Sequence, residues 1–330
     1  MANKTLVLYH YFEKDLIYVE NFFHFLRFGY APSIDYIVII AGEHTIDLPQ
    51  FKNLTYLFTK NKNNDYGGYS FALKQTVNIE AYDFFVFINS SVRGPFLPSY
   101  ISENWTTCFT NLLTENVGLV GSAINILPTS TFLSKSYKEK YGGDEPFSHV
   151  ESMAYSMSKK ILLYLLEKGL YDLVHPLSKD EVIRDYEIRL SQEVLAAGWN
   201  IKCLLAEYNT IDYRKPHADL NPTSDKGDPS CSLSYFGRTA HPYETVFVKT
   251  NRDLFTEQYL CRLAYSSLLH IPELSGLDKN LSYQKYLEKL KLASTSKERV
   301  SFIPPKSKLR FAPKPLRPLM LRVNELLKAT

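Results

Sequence analysis

An unbroken apolar run near residue 85 constrains the fold of this chain more than any other feature. Residues 84–88 read Phe-Phe-Val-Phe-Ile, five apolar positions with three aromatic rings. A strand with one solvated face alternates apolar and polar residues, whereas a continuous apolar run suits a strand covered on both faces, as in a parallel sheet. The run ends in Asn-Ser-Ser at residues 89–91. Because α/β proteins bind ligands at the carboxyl ends of such strands, we expect a ligand there.

The segments around this run predict repeated βαβ units. The sequence predicts apolar strands and amphipathic helices in alternation: strands at 5–11, 35–41 and 54–58, and helices at 16–28 and 69–77. Alternation at these lengths is typical of a parallel sheet with crossover helices. The predicted fold class is therefore α/β, with a mostly parallel central sheet and helices on both faces.

The second half of the chain predicts further elements of both kinds. Ser178 and Glu181 have the spacing of a capping box, which predicts a helix that breaks near Asp185 and ends before Gly198. Loops are expected at 137–147 and 212–241, the second with several Pro and Gly residues. The remaining expected elements are strands at 117–126, 150–157, 200–206 and 242–249, and helices at 104–114, 159–168 and 254–269.

Composition excludes some classes of protein. A net charge of +3 over 330 residues is too small to indicate nucleic-acid binding by the whole chain. The four cysteines are far apart and form no C-x-x-C pair, which argues against a zinc site or a disulfide framework. There is no signal-peptide pattern and no apolar run approaching the ~20 residues of a membrane-spanning helix. We therefore expect a cytoplasmic protein.

Two glycine-bearing and polar stretches are candidate binding elements. Asp65, Gly67 and Gly68 mark a predicted tight loop, 24 residues before Asn89, where backbone amides can approach a phosphate or a ribose. The alternative is an ordinary surface turn. Asn89 is followed by Ser91 and Arg93, and a guanidinium at a strand end suits bidentate binding of a phosphate. The alternative for the arginine is a structural salt bridge.

The ends of the first two predicted strands supply two weaker candidates. His10 and Glu43 lie there, where they would meet the base or ribose of a nucleotide. A core histidine and a solvent-facing acid are equally good interpretations of these two residues.

A later helix carries a candidate general base, Glu187. At helical spacing Glu187 shares a face with Leu190, Ser191 and Val194, so its carboxylate lies at the front of a stripe that faces the core. A carboxylate shielded in this way suits proton abstraction from a hydroxyl group. The alternative is an acid that complements the dipole at a helix N-terminus.

Residues 64–91 resemble the N-terminal half of GT-A glycosyltransferases, above all inverting family 2. There, a loop rich in Asn and Gly, a helix and an apolar strand precede a metal-binding Asp-x-Asp motif. The Asp-Tyr-Gly-Gly stretch at 65–68 and the segment 241–252 are more similar to glycosyltransferases of the rhamnan-synthesis type. The resemblance covers roughly residues 5–252. It implies a GT-A-like fold, and it places Glu187 at the Asp that acts as general base in family 2.

The chain departs from that family where a metal ion would bind. Asn89-Ser90-Ser91 replaces Asp-x-Asp, and neutral side chains hold a divalent cation weakly. Mg²⁺ or Mn²⁺ remains an expected cofactor, with Asn89, Ser91 and His241 as weak candidate ligands. Metal independence, with Arg93 or a lysine stabilising the leaving diphosphate, is the alternative.

The resemblance implies a glycosyltransferase of the hexosyltransferase type. The donor would be a nucleotide-sugar of the UDP, GDP or dTDP type, and the acceptor a surface polysaccharide or a lipid-linked glycan. An inactive nucleotide- or glycan-binding module and a sugar nucleotidyltransferase are the alternatives. Retention of configuration stays open beside inversion.

The domain organisation expected from the sequence has three parts. Residues 1–252 would form the GT-A-like domain, with a nucleotide-sugar-binding half at 1–126 and an acceptor and catalytic half at 127–252. A helical segment follows at 253–293. From 294 onward prolines alternate with basic residues, which suits either a solvated linker or attachment to an anionic membrane surface.

Overall fold

The computed structural model describes residues 3–172 and 175–300. Within those residues, no helix combines the length and apolarity that crossing a membrane requires. The basic segment predicted from 294 lies mostly in 301–330, outside the described residues.

Seven strands form the central sheet, in the order β10-β6-β9-β4-β1-β2-β3. All neighbours are parallel except β9, which runs antiparallel to both β4 and β6. Two short ribbons pair β5 with β11 and β7 with β8. The strands are β1 Thr5–Tyr11, β2 Asp35–Ala41, β3 Leu54–Thr59, β4 Phe84–Asn89, β5 Val92–Arg93, β6 Val117–Gly121, β7 Ile124–Asn125, β8 His149–Val150, β9 Ala154–Ser158, β10 Asn200–Cys203 and β11 Val248–Lys249.

Helices connect and cover these strands. They are α1 Leu16–Gly29, α2 Asn64–Gln75, α3 Thr107–Thr110, α4 Phe132–Tyr141, α5 Lys159–Glu167, α6 Lys179–Val182, α7 Arg189–Ala196, α8 Pro242–Thr245, α9 Glu257–Leu268 and α10 Leu281–Thr295. The capping box predicted at Ser178 is present at the start of α6. The break predicted near Asp185 is a π-helical segment, Ile183–Ile188, between α6 and α7.

The sheet is buried on both faces, as the continuous apolar run predicts. In β1, Val7 and Tyr9 pack into a core that includes side chains of α1, α9 and α10. Leu6 and Leu8 point to the opposite face and pack into a second core that includes side chains of α2, α5 and α7. The predicted fold class, an α/β fold with a mostly parallel sheet between layers of helices, is confirmed. Strands from 1–126 and from 127–252 share this sheet.

The stretch Asp-Tyr-Gly-Gly is predicted to be a loop, but in the structure it lies in the first turn of α2. The glycines serve close packing there. A Cβ on Gly67 would lie 1.7 Å from the carbonyl oxygen of Lys62, and one on Gly68 would lie 2.4 Å from Cδ2 of His10. The helix start can therefore press against β1 only because these positions lack side chains.

Local capping overrides two other predictions. The predicted loop at 137–147 is helical as far as Tyr141, because the Thr131 hydroxyl accepts a hydrogen bond from the Ser134 amide and caps α4. The predicted strand at 242–249 instead begins with α8, whose cap is His241 and whose first residue is Pro242. Helix α3 covers only the centre of the predicted helix at 104–114.

Candidate functional site

The candidate site lies at the carboxyl-terminal edge of the central sheet. Because β1, β2 and β4 are parallel, their last residues meet at this edge, and His10 is the register partner of Asn89. The backbone amide of Ser90 donates to the His10 carbonyl oxygen at 2.9 Å. The sequence prediction of a polar edge after the apolar strand is thus matched by the register of the sheet.

Asp65 and Asn89 form the centre of this edge. The Asn89 amide Nδ2 donates to Oδ2 of Asp65 at 2.8 Å. Asn89 Oδ1 accepts from the Ser91 amide at 3.1 Å and from the Ser91 hydroxyl at 2.5 Å. The start of α2 and the end of β4, 24 residues apart in sequence, are therefore joined by one hydrogen-bonded group.

The carboxyl group of Asp65 is buried, with 8% of the residue exposed. Its pKa is raised to about 6, mainly by burial and also by the charge of Glu187, while the hydrogen bond from Asn89 lowers it. An acid that is held above its usual pKa, and that has no salt-bridge partner among the residues the structure describes, is typical of a functional site rather than of a surface turn.

His10 lies directly beneath the start of α2. Burial lowers its pKa to about 4, so the ring is neutral at neutral pH. Its Nε2 is buried and has no hydrogen-bond partner in the part of the chain that the structure describes, and the same holds for the hydroxyl groups of Tyr66 and Tyr69. The helix start thus covers several buried polar atoms for which residues 3–172 and 175–300 supply no hydrogen-bond partner.

Glu187 reaches the same edge from the π-helical segment between α6 and α7. It is half-buried, and its Oε1 accepts from the Ser152 amide at 3.4 Å. Its charge contributes to the raised pKa values of Asp65 and Tyr66. A π-helical turn is frequent at functional sites because it re-aims side chains within a helix.

The chain just before β9 joins these groups. The carbonyl oxygen of Met153 accepts from the backbone amide of Asn89 at 3.3 Å, and the backbone amide of Ser152 donates to Glu187. Because β9 runs antiparallel to β4, residues that precede β9 lie at the carboxyl end of β4. This antiparallel strand is what brings the predicted base to the predicted binding edge.

Arg93 lies apart from this group. Its side chain is fully buried, its Nε donates to Asn21 Oδ1 at 2.9 Å, and its remaining nitrogens bond Glu20 and Glu257. Lys289 also contacts both of these carboxylates. The guanidinium thus forms the structural ion pair that was the alternative interpretation, and it joins α1, β5, α9 and α10.

Glu43 and His241 also lie outside the hydrogen-bonded group. Glu43 is exposed after β2. The acid that makes hydrogen bonds in this region is Glu13, which accepts from the Tyr11 hydroxyl and the Thr45 amide. His241 caps α8: its Nδ1 accepts from the Tyr243 amide, and its Nε2 is 2.8 Å from the hydroxyl of Tyr259. Both ring nitrogens of His241 are therefore engaged within the protein.

Sequence reasoning missed four charged residues that form ion pairs around β11, which we call the charged cluster: Glu151, Asp228, Lys249 and Arg252. Glu151 follows β8, Asp228 lies in the long loop before α8, and the two basic residues lie in and after β11. The basic residues fall in the segment 241–252 that carried the family resemblance. No local pattern marks the two acids, which are 77 residues apart by their numbering.

The described residues contain no group of three or more His, Cys, Asp or Glu side chains arranged to hold a metal ion. At the candidate edge, Asp65 supplies a carboxylate, but Asn89 Oδ1 is already bonded by Ser91. Divalent cations prefer several carboxylate or carbonyl oxygens, so the predicted ligands Asn89, Ser91 and His241 do not fit one.

No family model matches the chain, and no curated protein matches it significantly. Three solved glycosyltransferase structures are similar to it. The mannosyltransferase PcManGT from Pyrobaculum calidifontis, in complex with GDP-Man and Mn²⁺, matches at 8% identity and a TM-score of 0.38, over 100% of this chain and 81% of that one. The galactosyltransferase LgtC, in complex with donor and acceptor sugar analogs, matches at 10% identity and a TM-score of 0.37, over 92% and 99%.

The third structure is the bifunctional glycosyltransferase WbbM, at 10% identity and a TM-score of 0.37. The match covers 63% of this chain and 40% of that chain, so this chain spans less than half of its length. Likeness at these identities and TM-scores says nothing about what this chain acts on. Its function has to be inferred from the site itself.

Proposed function

We propose that this protein is a glycosyltransferase that moves a sugar from a nucleotide-sugar donor to a hydroxyl group of a glycan acceptor. One observation carries the proposal. The Asp65–Asn89 pair lies at the edge of a parallel sheet, and the carboxylate of Glu187, on a later helical segment, contacts the Ser152 amide next to Met153, whose carbonyl oxygen accepts from the Asn89 backbone amide. This arrangement combines a nucleotide-binding edge with a base close to it.

Each group has a role in the proposed reaction. The start of α2, with Asp65, and the polar groups of Asn89 and Ser91 hold the nucleotide and its diphosphate, and His10 lies under this surface. Glu187 takes the proton from the acceptor hydroxyl, whose oxygen attacks the anomeric carbon from the face opposite the nucleotide. The bond from that carbon to the diphosphate breaks, and its electrons leave with the phosphate oxygen. The configuration at the anomeric carbon is inverted. Positioning and charge stabilisation supply most of the acceleration.

The proposal extends to the ligands implied by the family resemblance. The donor is of the UDP, GDP or dTDP type with a hexose as the transferred sugar, and the acceptor belongs to a surface polysaccharide, as in enzymes of the rhamnan-synthesis type. We propose that the reaction does not need Mg²⁺ or Mn²⁺, because the candidate ligands do not fit a divalent cation. Residues 294–330 would attach the protein to an anionic membrane surface on the cytoplasmic side, where lipid-linked acceptors reside.

The test is hydrolysis of nucleotide-sugars by the purified full chain, with Glu187→Gln as the variant. A panel of UDP, GDP and dTDP sugars is screened first by thermal shift, with and without a divalent cation. Removing the base should lower turnover by about 10²- to 10⁴-fold while nucleotide affinity survives. Glu167→Gln, an exposed glutamate at the end of α5, is the matched control and should leave turnover unchanged.

Other outcomes distinguish the alternatives. Nucleotide binding without turnover in either form would indicate an inactive binding module. Release of inorganic pyrophosphate from a sugar phosphate and a nucleoside triphosphate would indicate a nucleotidyltransferase. Equal turnover by the wild type and Glu187→Gln would remove Glu187 from the mechanism.

A further inference from the structure

The charged cluster lies next to the candidate site. Strand β11 pairs with β5, so that Lys249 is opposite Val92. The Thr250 amide donates to the Ser91 carbonyl oxygen at 3.1 Å. Ser91 in turn bonds Asn89, and Asn89 bonds Asp65. The chain segment that carries Lys249 and Arg252 is therefore bonded to the last member of the hydrogen-bonded group.

The acids of the cluster lie beneath its basic residues. Glu151 and Asp228 are 2% and 7% exposed, whereas the side chains of Lys249 and Arg252 are 16% and 28% exposed. Arg252 NH1 donates to Asp228 Oδ2 at 2.6 Å and to the Ser230 carbonyl oxygen at 3.2 Å. Lys249 Nζ is 3.3 Å from Glu151 Oε2. The buried acids fix the bases in place, and the bases reach toward the surface.

The buried acids do not use all the hydrogen-bond donors of Lys249 and Arg252. Glu151 Oε2 is 3.3 Å from Lys249 Nζ and 4.0 Å from a terminal nitrogen of Arg252, and hydrogen bonding with Asp228 and Ser230 contributes to its lowered pKa. The hydrogen bonds described for Arg252 involve only one of its terminal nitrogens. Among the described residues, Lys249 has an ion pair with one carboxylate and Arg252 uses one terminal nitrogen, so each keeps donors that a ligand can use.

The charge of the cluster also favours an anion. Burial and, after it, the charge of Glu151 raise the pKa of Asp228 to about 7, although Arg252 and Lys249 lower it. Lys249 and Arg252 lower the pKa of Glu151 despite its burial. Near neutral pH the two acids thus carry fewer than two negative charges against two positive ones. A cluster with a positive excess beside Ser91 is suited to a phosphate group.

We propose that Lys249 and Arg252 bind the diphosphate of the donor and stabilise the negative charge that it gains when the bond to the sugar breaks. This inference rests on the proposed function and names the cationic part of the same site. The two side chains fill the place that the sequence analysis assigned to Arg93 or to a metal ion. Their positions are set in advance by Glu151 and Asp228, so no rearrangement is needed as the charge develops.

Titration of the full chain with inorganic pyrophosphate in the presence of EDTA tests this proposal without any donor. The wild type should bind, Lys249→Met should raise the dissociation constant by about tenfold or more, and added salt should weaken wild-type binding. Lys74→Met is the matched control, because Lys74 is also ion-paired, with Asp172, but lies at the far end of α2. No binding by the wild type, or equal binding by Lys249→Met, would overturn the proposal.

A second measurement avoids any loss of folding caused by the substitution. Pyrophosphate should protect Lys249 of the wild type from acetylation, read by mass spectrometry, and should leave Lys74 unprotected. Equal labelling of Lys249 with and without pyrophosphate contradicts the proposal. If protection occurs but no nucleotide-sugar is turned over, the diphosphate site stands and the transferase function fails. If Lys249→Met turns over donor at the wild-type rate, the function stands and this assignment fails.

Discussion

Replacing Asp65 by Asn should stabilise the protein while weakening its proposed donor binding. The Asn side chain has nearly the same shape, and its Oδ1 can still accept the hydrogen bond from Asn89 Nδ2. The substitution removes a carboxylate whose pKa is raised from 3.8 to about 6, first by burial and then by Glu187. A buried charge near a second carboxylate costs stability, and the neutral amide avoids that cost.

The size and the pH window follow from the raised pKa. Between pH 3.8 and about 6 the folded state binds more protons at Asp65 than the unfolded state does, so this group lowers stability as the pH rises through that window. Above pH 6 the cost is constant, and a shift of roughly two units corresponds to about 3 kcal/mol. Asp65→Asn should therefore be more stable than the wild type by up to about 3 kcal/mol at pH 7 and about equal to it near pH 4.

Urea unfolding at pH 4, 5, 6 and 7 measures the difference. Asp144→Asn, at an exposed position between α4 and β8, controls for the loss of one negative charge. The reasoning is refuted if Asp65→Asn gains no stability at pH 7, or if its gain is the same at all four values. Thermal shift with the nucleotide found in the donor screen should meanwhile show weaker binding, since functional sites commonly hold groups that cost stability.

Two further substitutions test the packing around the site. Arg93→Met should destabilise the fold by roughly 3–5 kcal/mol in urea unfolding, because Glu20 and Glu257 would lose their buried partner. The folded fraction should still bind nucleotide. Lost nucleotide binding with unchanged stability would instead favour the interpretation that Arg93 binds a phosphate. Gly67→Ala should cost about 1–3 kcal/mol and weaken nucleotide binding, because a Cβ there would lie 1.7 Å from the Lys62 carbonyl oxygen. Gln75→Ala, exposed at the end of the same helix, is its control, and equal effects of the two would contradict this explanation.

Features that depend on near neighbours in sequence were predicted well. The apolar run at 84–88 predicted a strand covered on both faces, and β4 is buried between two layers of helices. Ser178 and Glu181 predicted a helix start, and the capping box is present. Where local signals compete, prediction was less successful: the glycines at 67 and 68 favoured a loop, but close packing of α2 against His10 explains them.

Features that depend on distant partners could not be predicted. Arg93 is paired with Glu20 and Glu257, which are 73 and 164 positions away in the sequence. No pattern near Arg93 indicates either partner. Likewise Glu151 and Asp228 come together only because the residue after β8 and the long loop before α8 contact basic residues in and after β11.

The sequence by itself determined the class of sheet, the polar edge at Asn89 and the candidate base, because burial periodicity, turn chemistry and helical spacing act over a few residues. The tertiary structure alone decided how the basic side chains near that edge are paired. Electrostatic pairing depends on distance in space, and the fold encloses Arg93 among acids while it leaves Lys249 and Arg252 partly exposed beside Ser91.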